Sequence, residues 1–368
     1  MDSNIVLYRK YRPKNFNEVI GQSHIVQTLQ NSLKTNSISH AYLFCGPRGS
    51  GKTTFARILA KAVNCQDLKS GEPCNKCDSC QEIMASKSLD LMEIDAASHT
   101  GVDDVRALTD GLRFAPVKSK YKVFIIDECH QLSKSAANAL LKTLEEPPDH
   151  AIFILATTEA HKMIPTIISR CQRFDFRRLH AKELIKKLEI ILKKEGIKYE
   201  ETILSLIALN ARGSFRDAES LLDKCISFTS KDKFISLKEV KELLGIVEVG
   251  QISEFINLIV RQNAKDAVIK LNLLVEEGID LQEFSKTLIF YLRQCLLLKI
   301  NKDLVNSEES GFSDDEIKKM EEQISSLREG ELQKILELFI EAENKLKYTT
   351  IPQLPLELAI IDITHKES

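Results

Sequence analysis

Gly46-Pro47-Arg48-Gly49-Ser50-Gly51-Lys52-Thr53, followed by Thr54, reads G-x4-G-K-T. The apolar run Leu43-Phe44-Cys45 leads into it and the helix-forming run Phe55 to Ala62 leaves it. Strand, tight turn and helix are the context a phosphate-binding loop needs. Such a loop turns successive backbone N–H groups inward at phosphate oxygens, and the positive end of the following helix adds to the same field. Lys52 would reach the β- and γ-phosphates, and the Thr53 hydroxyl would take one position on Mg²⁺. The ligand implied is a nucleoside triphosphate. A second run, Lys122-Val123-Phe124-Ile125-Ile126-Asp127-Glu128, is continuously apolar until it ends in two carboxylates. Buried parallel strands have this pattern, with their carboxyl ends at the ligand crevice. Asp127 would then partner Mg²⁺, and Glu128 would polarise the attacking water as general base.

Cys65-x8-Cys74-x2-Cys77-x2-Cys80 sets four thiols at close spacing. Four thiolates suit tetrahedral Zn²⁺ with no open position, a structural site and not a catalytic one. Free thiols are one competing assignment and an iron–sulfur cluster is another, since C-x2-C-x2-C opens the ferredoxin run. That run continues x3-C-P, whereas Ile83, Met84 and Ala85 follow here and the fourth cysteine lies upstream. Nine cysteines, four of them clustered, in a chain with no secretion signal point to metal binding in a reducing cytosol.

These residues need elements to carry them. At 368 residues the chain is long for one core, so two or three domains are expected. Hydrophobic content of 43% and charged content of 28% are those of an ordinary soluble globular protein. No apolar run approaches the roughly 18 residues that span a bilayer. A net charge of −2, from 51 basic and 53 acidic residues, argues against a dedicated nucleic-acid binder. The opening segment, Leu7 to Gln22, mixes aromatic, basic and apolar residues without helical period. It is either a solvated arm or a wrap around a nucleobase. Periodicity predicts a helix over 23–35, a strand over 90–95, a helix over 102–112, a helix begun at Ser133 and stopped by Pro147-Pro148, and a strand over 151–158. Alternating strand and helix make this part a parallel α/β sheet. Beyond Phe176 the pattern becomes all-helical, with stretches at 183–195, 202–211, 216–228, 252–260, 265–275, 284–300 and 331–346. Residues 301–315 look like an exposed loop.

Taken together, these residues resemble the AAA+ clamp-loader ATPases, and most closely the gamma/tau subunit family of bacterial DNA polymerase III. The resemblance runs through Tyr8-Arg9-Lys10-Tyr11-Arg12-Pro13, the phosphate loop, the four cysteines, Ile94-Asp95-Ala96-Ala97-Ser98 and Asp127-Glu128-Cys129-His130. It continues through Leu141 to Pro148, Leu155-Ala156-Thr157-Thr158, Ser169-Arg170-Cys171 and Gly213-Ser214-Phe215-Arg216-Asp217-Ala218. It implies a fold of α/β plus all-α class. A domain with a parallel five-stranded sheet would span 1–178, with a zinc module at 65–80. A helical lid would span 179–243 and a helical oligomerisation collar 244–368. Beyond about 245 the likeness is one of character only. The chain stops where the collar would, like a shorter form or a truncation without polymerase- and helicase-binding extensions.

The resemblance also implies ATP, Mg²⁺ and Zn²⁺ as ligands. Tyr11 and Arg12 would join residues 46–54 and Asp127 around the nucleotide. Thr158 would sense the γ-phosphate, Arg216 in the lid would touch this subunit's own phosphates, and Arg170 would enter a neighbouring subunit's site. Taken alone, either arginine reads as a solvated helix-end charge. Lys142 matches a basic position on a DNA-facing helix, whereas His99 and Gly101 stand where relatives carry basic residues. The implied activity is ATP-driven opening of a sliding clamp and its placement on primer-template DNA, in a bacterial cytoplasm. The implied partners are other clamp-loader subunits and copies of itself in a pentamer, with no membrane. Two other classes compete: a non-hydrolysing subunit of the same assembly, against which Lys52, Thr53, Asp127 and Glu128 argue, and another AAA+ motor or unfoldase, against which the cysteine insertion argues.

Overall fold

Five strands form one parallel sheet in the order β2-β3-β4-β1-β5. They are β1 Ala41–Cys45, β2 Leu91–Asp95, β3 Lys122–Asp127, β4 Ala151–Thr157 and β5 Gln172–Asp175. The structure is a computed structural model and describes residues 5–98, 111–112, 114–228, 234–243, 249–305 and 312–364. The helix expected over 102–112 falls outside these apart from Gly111 and Leu112, as do His99 and Gly101. β1 and β4 are buried along their whole length, because helices cover both faces. One face packs on α2 (Ser23–Lys34) and α3 (Lys52–Val63), through Ile25, Leu29, Phe55 and Leu59. The other packs on α5 (Lys134–Glu145), through Ala136, Leu140 and Leu144. Ser133 caps α5 by accepting from the Ala136 N–H, as its residue type demands. Short helices α1 (Leu7–Lys10), α4 (Asp78–Met84) and α6 (Pro165–Ile168) complete this part.

The chain divides into two compact units, Met1–Leu237 and Lys238–Ser368. The first unit also holds α7 (Ala181–Glu195), α8 (Thr202–Asn210) and α9 (Phe215–Phe228). Here the all-helical expectation needs correction. Lys198–Tyr199 (β6) and Phe234–Ile235 (β7) pair as a two-residue parallel ladder, too short to show a period of two. Helix α10 (Leu237–Leu243) follows.

In the second unit, α11 (Val249–Val260), α12 (Ala264–Glu276), α13 (Leu281–Ile300), α14 (Asp314–Ile324), α15 (Glu329–Leu346) and α16 (Leu354–Thr364) enclose one core. Phe255 meets Phe284 edge to face at 5.2 Å, and both are fully buried. The buried Tyr291 keeps its hydroxyl satisfied by donating to Gln323 at 2.6 Å. Of the loop expected over 301–315, residues 306–311 lie outside the described residues and 301–304 are exposed. Lys302–Leu304 form a 3₁₀ turn, and Ser313 with Glu316 builds the capping box that opens α14.

Candidate nucleotide and metal sites

The order β2-β3-β4-β1-β5 places the turns after β1 and β3 at the carboxyl edge of the sheet, with the end of β4 between them. The loop after β1 is anchored where the Gly46 N–H donates to the Thr157 carbonyl at 3.1 Å. Gly49 sits at φ +75°, and a Cβ there would lie 1.9 Å from Ser214 Oγ. The Phe215 N–H donates to the Gly49 carbonyl at 3.1 Å. The start of α9 thus rests directly on the loop, and only glycine admits both the turn and that approach.

Lys52 is buried, and its ammonium donates to the carbonyls of Gly46 (2.7 Å) and Pro47 (3.0 Å). Burial lowers its pKa, opposed by the nearby Glu128 and Asp127 carboxylates. The Thr53 hydroxyl donates to Asp127 Oδ2 at 2.6 Å, so the two residues expected to hold Mg²⁺ are brought side by side. Glu128 stands in left-handed backbone at φ 48°, an uncommon state for a side chain larger than asparagine. Its Oε2 accepts from the Thr158 hydroxyl (2.8 Å) and N–H (3.2 Å). His130 Nδ1 lies 3.5 Å from the same oxygen and 3.0 Å from Thr157 Oγ1, while its Nε2 meets Glu159 at 3.1 Å.

Above the loop opens a cleft of about 1590 Å³. Arg48 to Thr54, Asp127, Glu128, Arg12 and Arg216 line it, together with Tyr8 and the arm residues Pro13, Lys14, Val19 and Ile20. Tyr11 does not line it: its hydroxyl donates to Glu195 at 2.6 Å, and Tyr8 faces the cleft instead. The Arg216 guanidinium lies 5.1 Å from the Tyr8 ring centre, a cation–π contact that holds it over the opening. Arg12 has a lowered pKa through burial and the neighbouring Arg57. Arg170 lies outside the lining and pairs with Glu145, its Nη1 donating to the Thr166 carbonyl at 2.8 Å. Lys142 is exposed on α5.

Two charges in the cleft wall, Lys187 and Glu219, were not expected. Their positions carried a signal, because each falls on an apolar stripe: Lys187 beside Leu184, Leu188 and Ile191, Glu219 beside Ala218 and Leu222. They lie 3.7 Å apart, and the Lys187 ammonium donates to the Tyr11 carbonyl at 2.7 Å. Burial pushes Glu219 up to about 7 and Lys187 down, so desolvation outweighs their attraction. A carboxyl raised above its unfolded value contributes stability that is full below about 4.3 and lost as pH rises through about 7. Glu219→Gln is therefore expected to raise Tm relative to wild type at pH 8 by more than at pH 5. A larger gain at pH 5 would contradict this.

The four cysteine sulfurs lie within 4.8 Å of one another. Zinc–sulfur bonds of about 2.3 Å put tetrahedral ligands about 3.8 Å apart, so the cluster fits Zn²⁺ with small adjustment. Two of the sulfurs also accept from backbone N–H groups. Cys74 Sγ accepts from the N–H groups of Lys76 (3.4 Å) and Cys77 (3.3 Å), and Cys65 Sγ from the Cys74 N–H (3.2 Å). Chiefly the Lys76 N–H draws Cys74 down to about 6, whereas burial pushes Cys65 and Cys80 up, so metal binding there would have to displace protons. Cys77→Ser is expected to drop zinc content from one per chain to near zero and to lower Tm, since metal supplies the folding energy of so small a hairpin. A stable, zinc-free wild type would refute the assignment.

Three family descriptions match successive parts of the chain. "DNA polymerase III, delta subunit" matches residues 21–180. "DNA polymerase III clamp loader subunit, ATPase lid domain" matches 183–231, and "DNA polymerase III subunits gamma and tau domain III" matches 235–368. The DNA polymerase III subunit gamma of Buchnera aphidicola (Acyrthosiphon pisum) is 35% identical over 97% of this chain and 98% of its own length. The chain belongs to the DNA polymerase III gamma/tau family. The gamma/tau relative from Bacillus subtilis, subunit tau, is 43% identical over 97% of the chain, which spans only 62% of it. Of the Escherichia coli tau subunit, 41% identical, the aligned part of the chain spans 46%. Among solved structures, the Thermotoga maritima RuvB Holliday junction branch migration motor overlays with a TM-score of 0.49 at 20% identity, over 73% of this chain and 86% of that one.

Proposed function

We propose that this gamma/tau family chain is an ATPase subunit of a replicative clamp loader. ATP binding and hydrolysis would open a ring-shaped sliding clamp and place it on primer-template DNA in the bacterial cytoplasm. The observation that carries the reading is the assembled set Lys52, Thr53, Asp127 and Glu128 at the mouth of a cleft against which the segment beginning at Ser214 is packed. A non-hydrolysing subunit has no need of Glu128 held beside Thr53 and Asp127.

In this reading the inward N–H groups of 46–54 and Lys52 hold the phosphates. Thr53 and Asp127 hold Mg²⁺, which would neutralise developing phosphoryl charge. Glu128 takes the proton of the attacking water, and Thr158 aligns its carboxylate and reports the γ-phosphate. Arg216 reaches the phosphates from the lid, the segment 179–243. Arg12 and the arm wall the base. Arg170, turned outward on its own subunit, serves the next subunit's site in a pentamer closed by the collar, 244–368. Zn²⁺ on Cys65, Cys74, Cys77 and Cys80 is structural.

The test is reconstitution with clamp and primer-template DNA. At a net charge of −2 one chain displaces few counterions, so DNA should bind only the ATP-closed oligomer, independently of sequence and steeply dependent on salt. Lys142→Ala in every ATPase copy is expected to flatten the salt slope by about 0.9 per copy that contacts a phosphate and to spare ATP binding. An unchanged slope would remove Lys142 from the duplex.

A further inference from the structure

The cysteine hairpin touches the nucleotide cleft through side chains that ligate nothing. Between Cys65 and Cys74 the chain turns back on itself, with Lys69 bridged to Glu72 and Gly71 at φ +80°. A Cβ on Gly71 would come 2.8 Å from the Gln30 carbonyl, so the turn rests on α2. Glu72 then spans two elements. Its Oε2 accepts from the Phe16 N–H at 2.9 Å and its Oε1 from Gln30 Nε2 at 2.6 Å. Asn75, the residue after Cys74, accepts from Lys61 Nζ at 2.6 Å, and the same buried ammonium donates to the Lys14 carbonyl.

Glu72 and Asn75 therefore tie the hairpin to the arm at Phe16 and, through Lys61, at Lys14. That arm supplies Arg12, Pro13, Lys14, Glu18, Val19 and Ile20 to the cleft, and Asn75 and Lys61 line it themselves. Phe16 is fully buried, with its ring 6.1 Å from Phe55 on α3. Withdrawal of Glu72 from the packed arm would leave the Phe16 N–H without its acceptor.

We propose that the hairpin is a positioning element for the nucleotide cleft, so that metal held by the four cysteines and nucleotide held in the cleft strengthen one another through Glu72 and Asn75. Metal supplies the hairpin's folding energy, because sixteen residues with few apolar side chains bury too little to hold themselves. Loss of metal frees Glu72 and Asn75, and the arm then has to be ordered at the expense of nucleotide affinity. Coupling of binding free energies is reciprocal, so nucleotide must also retain metal.

The proposal rests on the reading that this cleft binds ATP, and the experiment separates the two. ATP affinity is measured by fluorescence competition on the full chain, zinc-loaded and chelator-stripped. Zinc release to a chromogenic chelator is timed with and without ATP. Glu72→Ala and Asn75→Gly keep all four cysteines and are expected to hold one zinc per chain, yet to bind ATP about 5- to 20-fold more weakly, within the usual range of coupling. Glu72→Gln, which retains an acceptor for the Phe16 N–H, should recover most of that loss. ATP should slow zinc release several-fold in wild type, and not in Lys52→Ala. Unchanged ATP affinity in zinc-loaded Glu72→Ala, or zinc release indifferent to ATP in a wild type that binds it, overturns the coupling alone. A wild type that binds no ATP overturns both readings.

Discussion

Arg170→Ala is expected to leave ATP affinity intact and to lower hydrolysis by the assembled oligomer on the order of 10³-fold, the scale of an arginine supplied to a phosphoryl-transfer site from outside. The geometry supports a role in trans. Arg170 is absent from the lining of its own cleft, half exposed, and held by Glu145 and the Thr166 carbonyl on the outer surface. A cation there stands outside the cleft that Lys52 lines, and a subunit docked against that surface would receive it. An exposed pair with Glu145 contributes little to stability, about 0–1 kcal/mol, so the variant should fold and melt like wild type. The measurement is ATP titration followed by steady-state hydrolysis, first for the single chain and then for the assembly. Loss of ATP affinity with full turnover by the monomer would place the arginine in its own site.

Glu128→Gln is expected to retain ATP and to lose turnover by about 10²- to 10⁴-fold, the contribution of a positioned general base. The substitution suits the structure, because a glutamine Oε1 still accepts from the Thr158 N–H and hydroxyl while the basic oxygen is gone. The closed, ATP-loaded assembly should then accumulate on clamp and DNA. Lys52→Ala gives the opposite signature. It removes the cation from the phosphate cradle and its hydrogen bonds to the Gly46 and Pro47 carbonyls, of which Pro47 keeps the Ser50 hydroxyl, so binding and turnover fall together. Pre-steady-state hydrolysis with nucleotide retention on a filter distinguishes the two. Undiminished turnover in Glu128→Gln would assign the base elsewhere, with His130, 3.5 Å from the Glu128 carboxylate, as one candidate.

By itself the sequence determined what local rules and short motifs carry. The G-x4-G-K-T spacing, the apolar run into Asp127-Glu128 and the four cysteines are each chemistry written in consecutive residues. Alternation of strand and helix up to Phe176 specified a parallel sheet, because that is the arrangement in which such runs bury both faces. Ser133 and Pro147-Pro148 marked the ends of α5 by capping and by the missing N–H.

Tertiary structure decided the rest, because contacts between distant residues have no period. Nothing local distinguishes Tyr8 from Tyr11, yet one stands under Arg216 and the other bonds Glu195, since the single turn Leu7–Lys10 sends them in different directions. Lys187 and Glu219 were legible as charges on apolar stripes, but only the packing of α7 against α9 brings them to the cleft wall. The hold of Glu72 on Phe16, 56 residues away, and of Thr158 on Glu128, 30 residues away, exists only once the sheet order is set. In both a carboxylate on one element accepts from another, from the Phe16 N–H in the first and from the Thr158 hydroxyl and N–H in the second, so both depend on which elements become neighbours.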